Sequence, residues 1–127
     1  LALYPDNSGV MNNYAYFLSI DGKHLDKAEE MSRRTIKKEP ENPTYLDTYA
    51  WVLFRQKRYA EAKIYIEQAL KFDTVDVSAD VLEHAGDIYA NNGEMEKAMQ
   101  KWKEALKLAP ENKVLIRKIK LKKYLRR

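Results

Sequence analysis

Cysteine is absent from this 127-residue chain, and glycine and proline are sparse, at four each. Without cysteine there is no disulfide framework, zinc–thiolate site or thiol nucleophile, although oxidising and reducing compartments both accept such a chain. So few glycines and prolines leave too little turn chemistry for a many-stranded β fold. Long apolar runs are missing too: stretches such as 14–18 and 50–54 fall far short of the roughly 18 apolar residues of a membrane-spanning helix. Of the two histidines, neither His24 nor His84 stands in a motif that pairs a base with a nucleophile, and no glycine-rich phosphate loop is present. These gaps argue against an enzyme and predict no catalytic residue. What remains is 45% apolar and 33% charged, a mixture that favours a folded helical chain over disorder.

Charge is unevenly spread. The net +4 combines a basic end, residues 111–127 with eight Lys and Arg against one Glu, and a mildly acidic remainder with fifteen basic and eighteen acidic side chains. The first residue is Leu1 rather than Met, and Leu1 to Asn7 resembles Leu106 to Asn112. We therefore expect a piece of a longer protein, with residues 1–7 the remnant of an upstream repeat. The piece itself is expected to be soluble, in a parent that is cytoplasmic or associated with the cell envelope.

Internal repetition is the strongest pattern. A small residue recurs at Ala15, Ala50 and Gly86, spaced by 35 and 36, and a second at Ala28, Ala62 and Ala98, spaced by 34 and 36. Larger apolar residues keep step: Met11, Leu46 and Leu82 before the first small residue, Leu18, Leu53 and Tyr89 after it, and Leu25, Tyr59 and Met95 before the second. The i, i+3 and i+4 spacings gather one apolar stripe on a helix, so each unit predicts two amphipathic helices joined by a tight turn. The predicted helices are 8–21, 25–38, 43–56, 59–72, 78–91, 94–108 and 113–125. Asn42–Pro43 forms a cap with proline at the first helical position, and Pro5, Pro40 and Pro110 end second helices. Asp21–Gly22 and Asn91–Gly93 supply residues suited to a left-handed turn. The middle turn, 56–58, lacks glycine and predicts a left-handed strain of about 1 kcal/mol on another side chain.

These residues resemble the tetratricopeptide repeat, a unit of about 34 residues with a W-x2-L-G-x2-Y, A-x3-F, P signature. Leu82, Ala85, Gly86, Tyr89, Ala98, Trp102 and Pro110 carry it most fully. Leu46, Tyr49, Ala50, Leu53, Ala62 and Ile66 follow it with Thr74 in place of proline; Met11, Tyr14, Ala15, Leu18, Ala28 and Pro40 follow it with polar Ser32 at an aromatic place. The resemblance implies an all-α, right-handed α-solenoid of antiparallel helix pairs, about seven helices, in a piece of a longer bacterial-type protein. The units would be 8–42, 43–77 and 78–112, followed by a basic capping helix at 111–127. On that helix, Leu115, Ile116, Ile119, Leu121 and Leu125 would cover the third unit while Arg117, Lys118, Lys120, Lys122 and Lys123 face water.

In this family the first helix of each pair lines a concave face that binds partner peptides. Carried over, the resemblance implies a groove with Asn12 and Tyr16 in the first unit, Asp47, Trp51 and Phe54 in the second, and Asp80, Glu83 and Asp87 in the third. Trp102 takes a core place. The groove is aromatic at one end and acidic at the other, suiting a protein or peptide with basic and apolar side chains. Family members that grip a terminal carboxylate do so with Lys, Arg and Asn; Asn12, Tyr16, Thr48, Asp80 and His84 stand at those places, one amide donor with an adverse carboxylate, and argue against such a clamp. No metal or cofactor is expected: Asp80, His84 and Asp87 share a helical face but make a weak ligand set, and Asp73, Asp76 and Asp80 lack the glycine and glutamate of a calcium loop. Two rivals to peptide binding remain: nucleic-acid or anionic-membrane binding by the basic end, and self-association. The latter would use the acidic groove of one copy with the basic helix of another, or an apolar end near Leu1 and Leu3.

Overall fold

A computed structural model describes residues 7–73 and 77–124. Among them the secondary structure is seven helices: α1 (Ser8–Asp21), α2 (Leu25–Lys38), α3 (Pro43–Arg55), α4 (Tyr59–Phe72), α5 (Ala79–Asn91), α6 (Met95–Leu108) and α7 (Lys113–Leu121). They form three packed pairs, α1–α2, α3–α4 and α5–α6; α2 packs on α3, α4 on α5, and α7 on α6. The first six helices agree with the predicted spans to within a residue. The seventh is shorter than predicted, because Lys122 adopts left-handed backbone (φ 53°) and stops it at Leu121. Leu1, Leu3, Pro5, Thr74, Asp76, Leu125, Arg126 and Arg127 lie outside the described residues.

The two helices of each pair start differently. α1, α3, α5 and α7 follow Asn7, Asn42, Ser78 and Asn112, whose side chains accept hydrogen bonds from first-turn N–H groups. α2, α4 and α6 have no such cap and begin directly out of a tight turn. Gly22 and Gly93 take left-handed backbone in two of those turns, and Lys57 takes it in the middle one (φ 65°). The strain predicted for that turn therefore falls on Lys57.

Packing explains the small columns. Ala15, Ala28, Ala50, Ala62 and Ala98 are completely buried, where a methyl group lets two helix backbones cross closely. At residue 86 even a methyl group does not fit: a Cβ there would lie 2.3 Å from the Trp102 ring. The smallest residue of the column thus meets the largest partner, Gly86 against Trp102 in the third unit, where the second unit has Ala50 and Ile66 at the equivalent places. In the first unit Ser32 fills the corresponding place; it is buried, and its hydroxyl has no hydrogen-bond partner among the described residues.

Successive pairs are also joined by a repeated polar link. The amide of Gln56, just after α3, donates to the carbonyl of Leu25 at the start of α2 (3.4 Å); Asn92, just after α5, donates to Tyr59 at the start of α4 (2.9 Å). Arg58 bridges Glu29 and Glu61, and Lys63 pairs with Glu94.

Two stability predictions follow from these contacts. Gly86→Ala should cost about 1–3 kcal/mol by overpacking, and in a double-mutant cycle with Trp102→Leu the two losses should be markedly less than additive. Urea denaturation measures both; strict additivity would mean that the two sites do not touch. Lys57→Gly should raise stability by up to about 1 kcal/mol by removing the left-handed strain, read as a higher unfolding midpoint.

Candidate functional site

The first helices bring their inward columns onto one face. There, a cavity of about 220 Å³ is lined by Tyr16 and Ile20 of α1, Trp51 and Arg55 of α3, and Asp80, Glu83, His84 and Asp87 of α5, closed at one side by Lys118 and Tyr124. Of the residues predicted for the groove, Tyr16, Trp51, Asp80, Glu83 and Asp87 line this cavity. Asn12, Asp47 and Phe54 do not line it, although all three are buried close to the same helices.

Its aromatic part is a stack. The Trp51 ring lies between Phe54, 4.7 Å away, and His84, 4.1 Å away, both nearly parallel to it. Tyr16 is tilted against His84 at 6.1 Å. Trp51 and Phe54 are only 8% and 4% exposed, so Trp51 forms the floor of the cavity with Phe54 stacked behind it, and neither projects into solvent. His84 is fixed from below: its Nδ1 lies 2.9 Å from Asp47 Oδ1. Burial alone would lower the imidazole's pKa, but the Asp47 carboxylate, with smaller help from Asp87 and Asp80, holds it above the ordinary histidine value.

Two carboxylates of the acidic part are already paired with a lysine. Lys118, expected to face water, is only 1% exposed. Its Nζ donates to Glu83 Oε2 (2.7 Å) and Asp87 Oδ1 (2.8 Å). Lys118 lies three residues after buried Leu115 and beside Ile119, so helical geometry turns it to the packed side. Ile116 and Leu121, expected to cover the third unit, are instead exposed. Asp87 Oδ1 also accepts from Trp102 Nε1 (3.0 Å), and Glu83 Oε1 accepts from Asn112 Nδ2 (3.2 Å). Removing one member of such a buried ion cluster typically costs about 3–5 kcal/mol, because the charge left behind has no water. Asp80 is the one lining carboxylate that stands exposed.

After the left-handed residue Lys122, the chain turns back and Tyr124 meets Phe54 edge-on at 5.2 Å. Sequence reasoning missed Lys118, Tyr124, Ile20 and Arg55 as parts of this face. The signal for Lys118 was available: Glu83 and Asp87 lie one turn apart on α5, and Lys118 shares the spacing of the apolar residues of α7. His84, whose ring was considered as a weak metal ligand with Asp80 and Asp87, turns to Asp47, while Asp87 turns to Lys118 and Trp102. Lys113, Arg117, Lys120, Lys122 and Lys123 of the basic end remain exposed, and none of the described helices is long and apolar enough to cross a membrane.

Paired helices of this length, repeating small-residue columns and a face formed by the first helices define a helical-repeat array. The sequence model of the tetratricopeptide repeat matches residues 43–74 and 79–112, and the chain belongs to that family. A TPR repeat-containing protein of Pseudomonas aeruginosa is 32% identical over 71 residues, which span 56% of this chain and 12% of the relative. The first TPR domain of human RPAP3 shares the fold with a TM-score of 0.79 at 19% identity, covering 93% of this chain and 91% of that one. The second TPR domain of the same human protein, solved in complex with the HSP70 peptide SGPTIEEVD, aligns with a TM-score of 0.75 at 20% identity, covering 95% and 99%.

One pH dependence follows from the buried cluster. Burial pushes the Asp87 carboxyl up from 3.8 to about 6, against the pull of Lys118. An acid whose pKa rises on folding contributes stability that is complete below its unfolded pKa and is lost as pH climbs through the folded one. The stability of the wild type relative to Asp87→Asn should therefore fall between about pH 4 and pH 6. Urea titrations across that range measure it; a margin that grows with pH would contradict the raised carboxyl.

Proposed function

We propose that this chain is a non-enzymatic interaction module that holds a segment of another protein, bearing basic and apolar side chains, against the face formed by α1, α3 and α5. One observation carries the reading: this face already holds a lysine. Lys118 projects from a helix into the carboxylates of Glu83 and Asp87, which is the chemistry a basic partner would meet beside it. The aromatic floor supplies apolar contact area, and exposed Asp80 supplies the remaining charge for a cation at the rim.

The sign of the face separates it from the structural neighbour with a bound peptide. That peptide, SGPTIEEVD, is acidic, whereas the rim of the cavity here carries the exposed carboxylate of Asp80. Because the chain's own Lys118 occupies Glu83 and Asp87, a partner's cation would pair with Asp80 at the rim.

The test should avoid Trp51 and Phe54, since replacing such buried aromatics by alanine costs about 3–5 kcal/mol and would unfold as readily as unbind. Tyr16→Ala and Asp80→Lys alter the cavity wall and rim. Peptides selected from a random displayed library on the wild type should be rich in Lys, Arg and apolar residues. Each variant should weaken their binding about tenfold, a loss of about 1.4 kcal/mol, while circular dichroism stays unchanged. Binding that survives both changes, or a selected set without basic residues, would reject this face as the binding site.

A further inference from the structure

The turn that follows α7 is bent back toward the cavity, and it is bent at a cost. Glycine is the usual residue where a helix ends in left-handed backbone; here that residue is Lys122 (φ 53°). The turn is tied by the Lys122 N–H donating to the Ile119 carbonyl (3.3 Å) and the Lys123 N–H donating to the Lys118 carbonyl (3.2 Å). A side chain in left-handed backbone is strained, so contacts beyond the turn help to hold it.

Tyr124 makes those contacts. Its ring meets Phe54 edge-on at 5.2 Å, and the Nζ of Lys118 stands 5.4 Å from the ring centroid. The ring is half-buried and lines the cavity with Trp51 and Asp80. On one side of Lys122, α7 is fixed by completely buried Leu115 and by Lys118 in its carboxylates. On the other side, Tyr124 lies outside any helix, and an edge-on ring pair and a cation near a ring are each contacts of modest strength. Opening the turn lets Lys122 relax into ordinary backbone, so the strain at this hinge favours release.

The chain thus places its own aromatic ring on the face where a partner's apolar side chain would sit. We propose that residues 122–124 form a strap: closed, Tyr124 fills an aromatic subsite at the edge of Phe54; open, an aromatic side chain of the partner takes the same place. The inference rests on the reading of this face as a protein-binding surface, and it narrows the partner to a segment that carries an aromatic residue beside its basic one.

Substitutions at the hinge push the strap in opposite directions. Glycine accepts this backbone without strain and valine resists it, so Lys122→Gly should favour the closed strap and Lys122→Val the open one, while Tyr124→Ala removes the cover. In the 127-residue chain, acrylamide quenching of tryptophan fluorescence reports on Trp51, since Trp102 is completely buried. Lys122→Val and Tyr124→Ala should be quenched about twofold more readily than the wild type, and Lys122→Gly no more readily, because a covered group is reached only when the cover opens. Peptides selected from a displayed library on the wild type should bind Tyr124→Ala about tenfold more tightly, since the whole population is then open, and Lys122→Gly more weakly. Peptides selected on Tyr124→Ala should be richer in aromatic residues. Affinity that is unchanged or reduced in Tyr124→Ala overturns the strap and makes Tyr124 a fixed part of the wall. Unchanged quenching in both Lys122→Val and Tyr124→Ala overturns it whether or not any peptide binds. Quenching that rises as expected while no selection yields a peptide supports the strap as a cover and rejects the protein-binding reading of the face.

Discussion

The contact between Trp102 and the bare backbone at Gly86 sets the position of everything at the acidic end. Because residue 86 carries no Cβ, the indole can lie against α5 and aim its N–H at Asp87. With Asp87 so held, and Glu83 one turn earlier held by Asn112, two buried carboxylates face the same point. Lys118 occupies that point. A core-packing choice inside the third pair thus decides where a cation can stand on the face formed by α1, α3 and α5. Side chains that lock one another in this way form a precise site because none can move alone.

The same arrangement divides the labour of the inward column. Asn12, Asp47 and Glu83 occupy equivalent positions in the three units, yet only Asp47 and Glu83 have named partners across units, the imidazole of His84 and the ammonium of Lys118 respectively. Tyr16, Trp51 and Asp87 are likewise equivalent, and they change from half-buried aromatic to stacked floor to ion-pair member. The repeat supplies one backbone frame, and the side chains at two columns turn it into a graded surface, apolar toward α1 and polar toward α7.

Most of this frame could be read from residue order alone. The small-residue columns predict where helices cross, and the caps at Asn42 and Asn112 and the glycines at 22 and 93 bracket the helices, because each acts locally and through backbone geometry. Even the strained turn was legible, since a left-handed position without glycine must fall on another residue, here Lys57. Burial of Lys118 shows only in its spacing with Leu115 and Ile119 on α7; its ion partners do not show, because two carboxylates from a helix about thirty residues earlier in sequence must first be placed beside it. The depth of Trp51 escaped for a related reason, as the partner that covers it, His84, belongs to the next unit. Properties that arise between units need the stacking geometry, while properties within a helix or turn do not.

Asn112 belongs to both halves of the design. Its oxygen accepts the N–H of Leu115 and starts α7, while its amide group donates to Glu83 in the wall of the cavity. Helix initiation and wall geometry therefore meet in one side chain. Any displacement of Glu83 would be felt at the first turn of α7, through the one amide that both share.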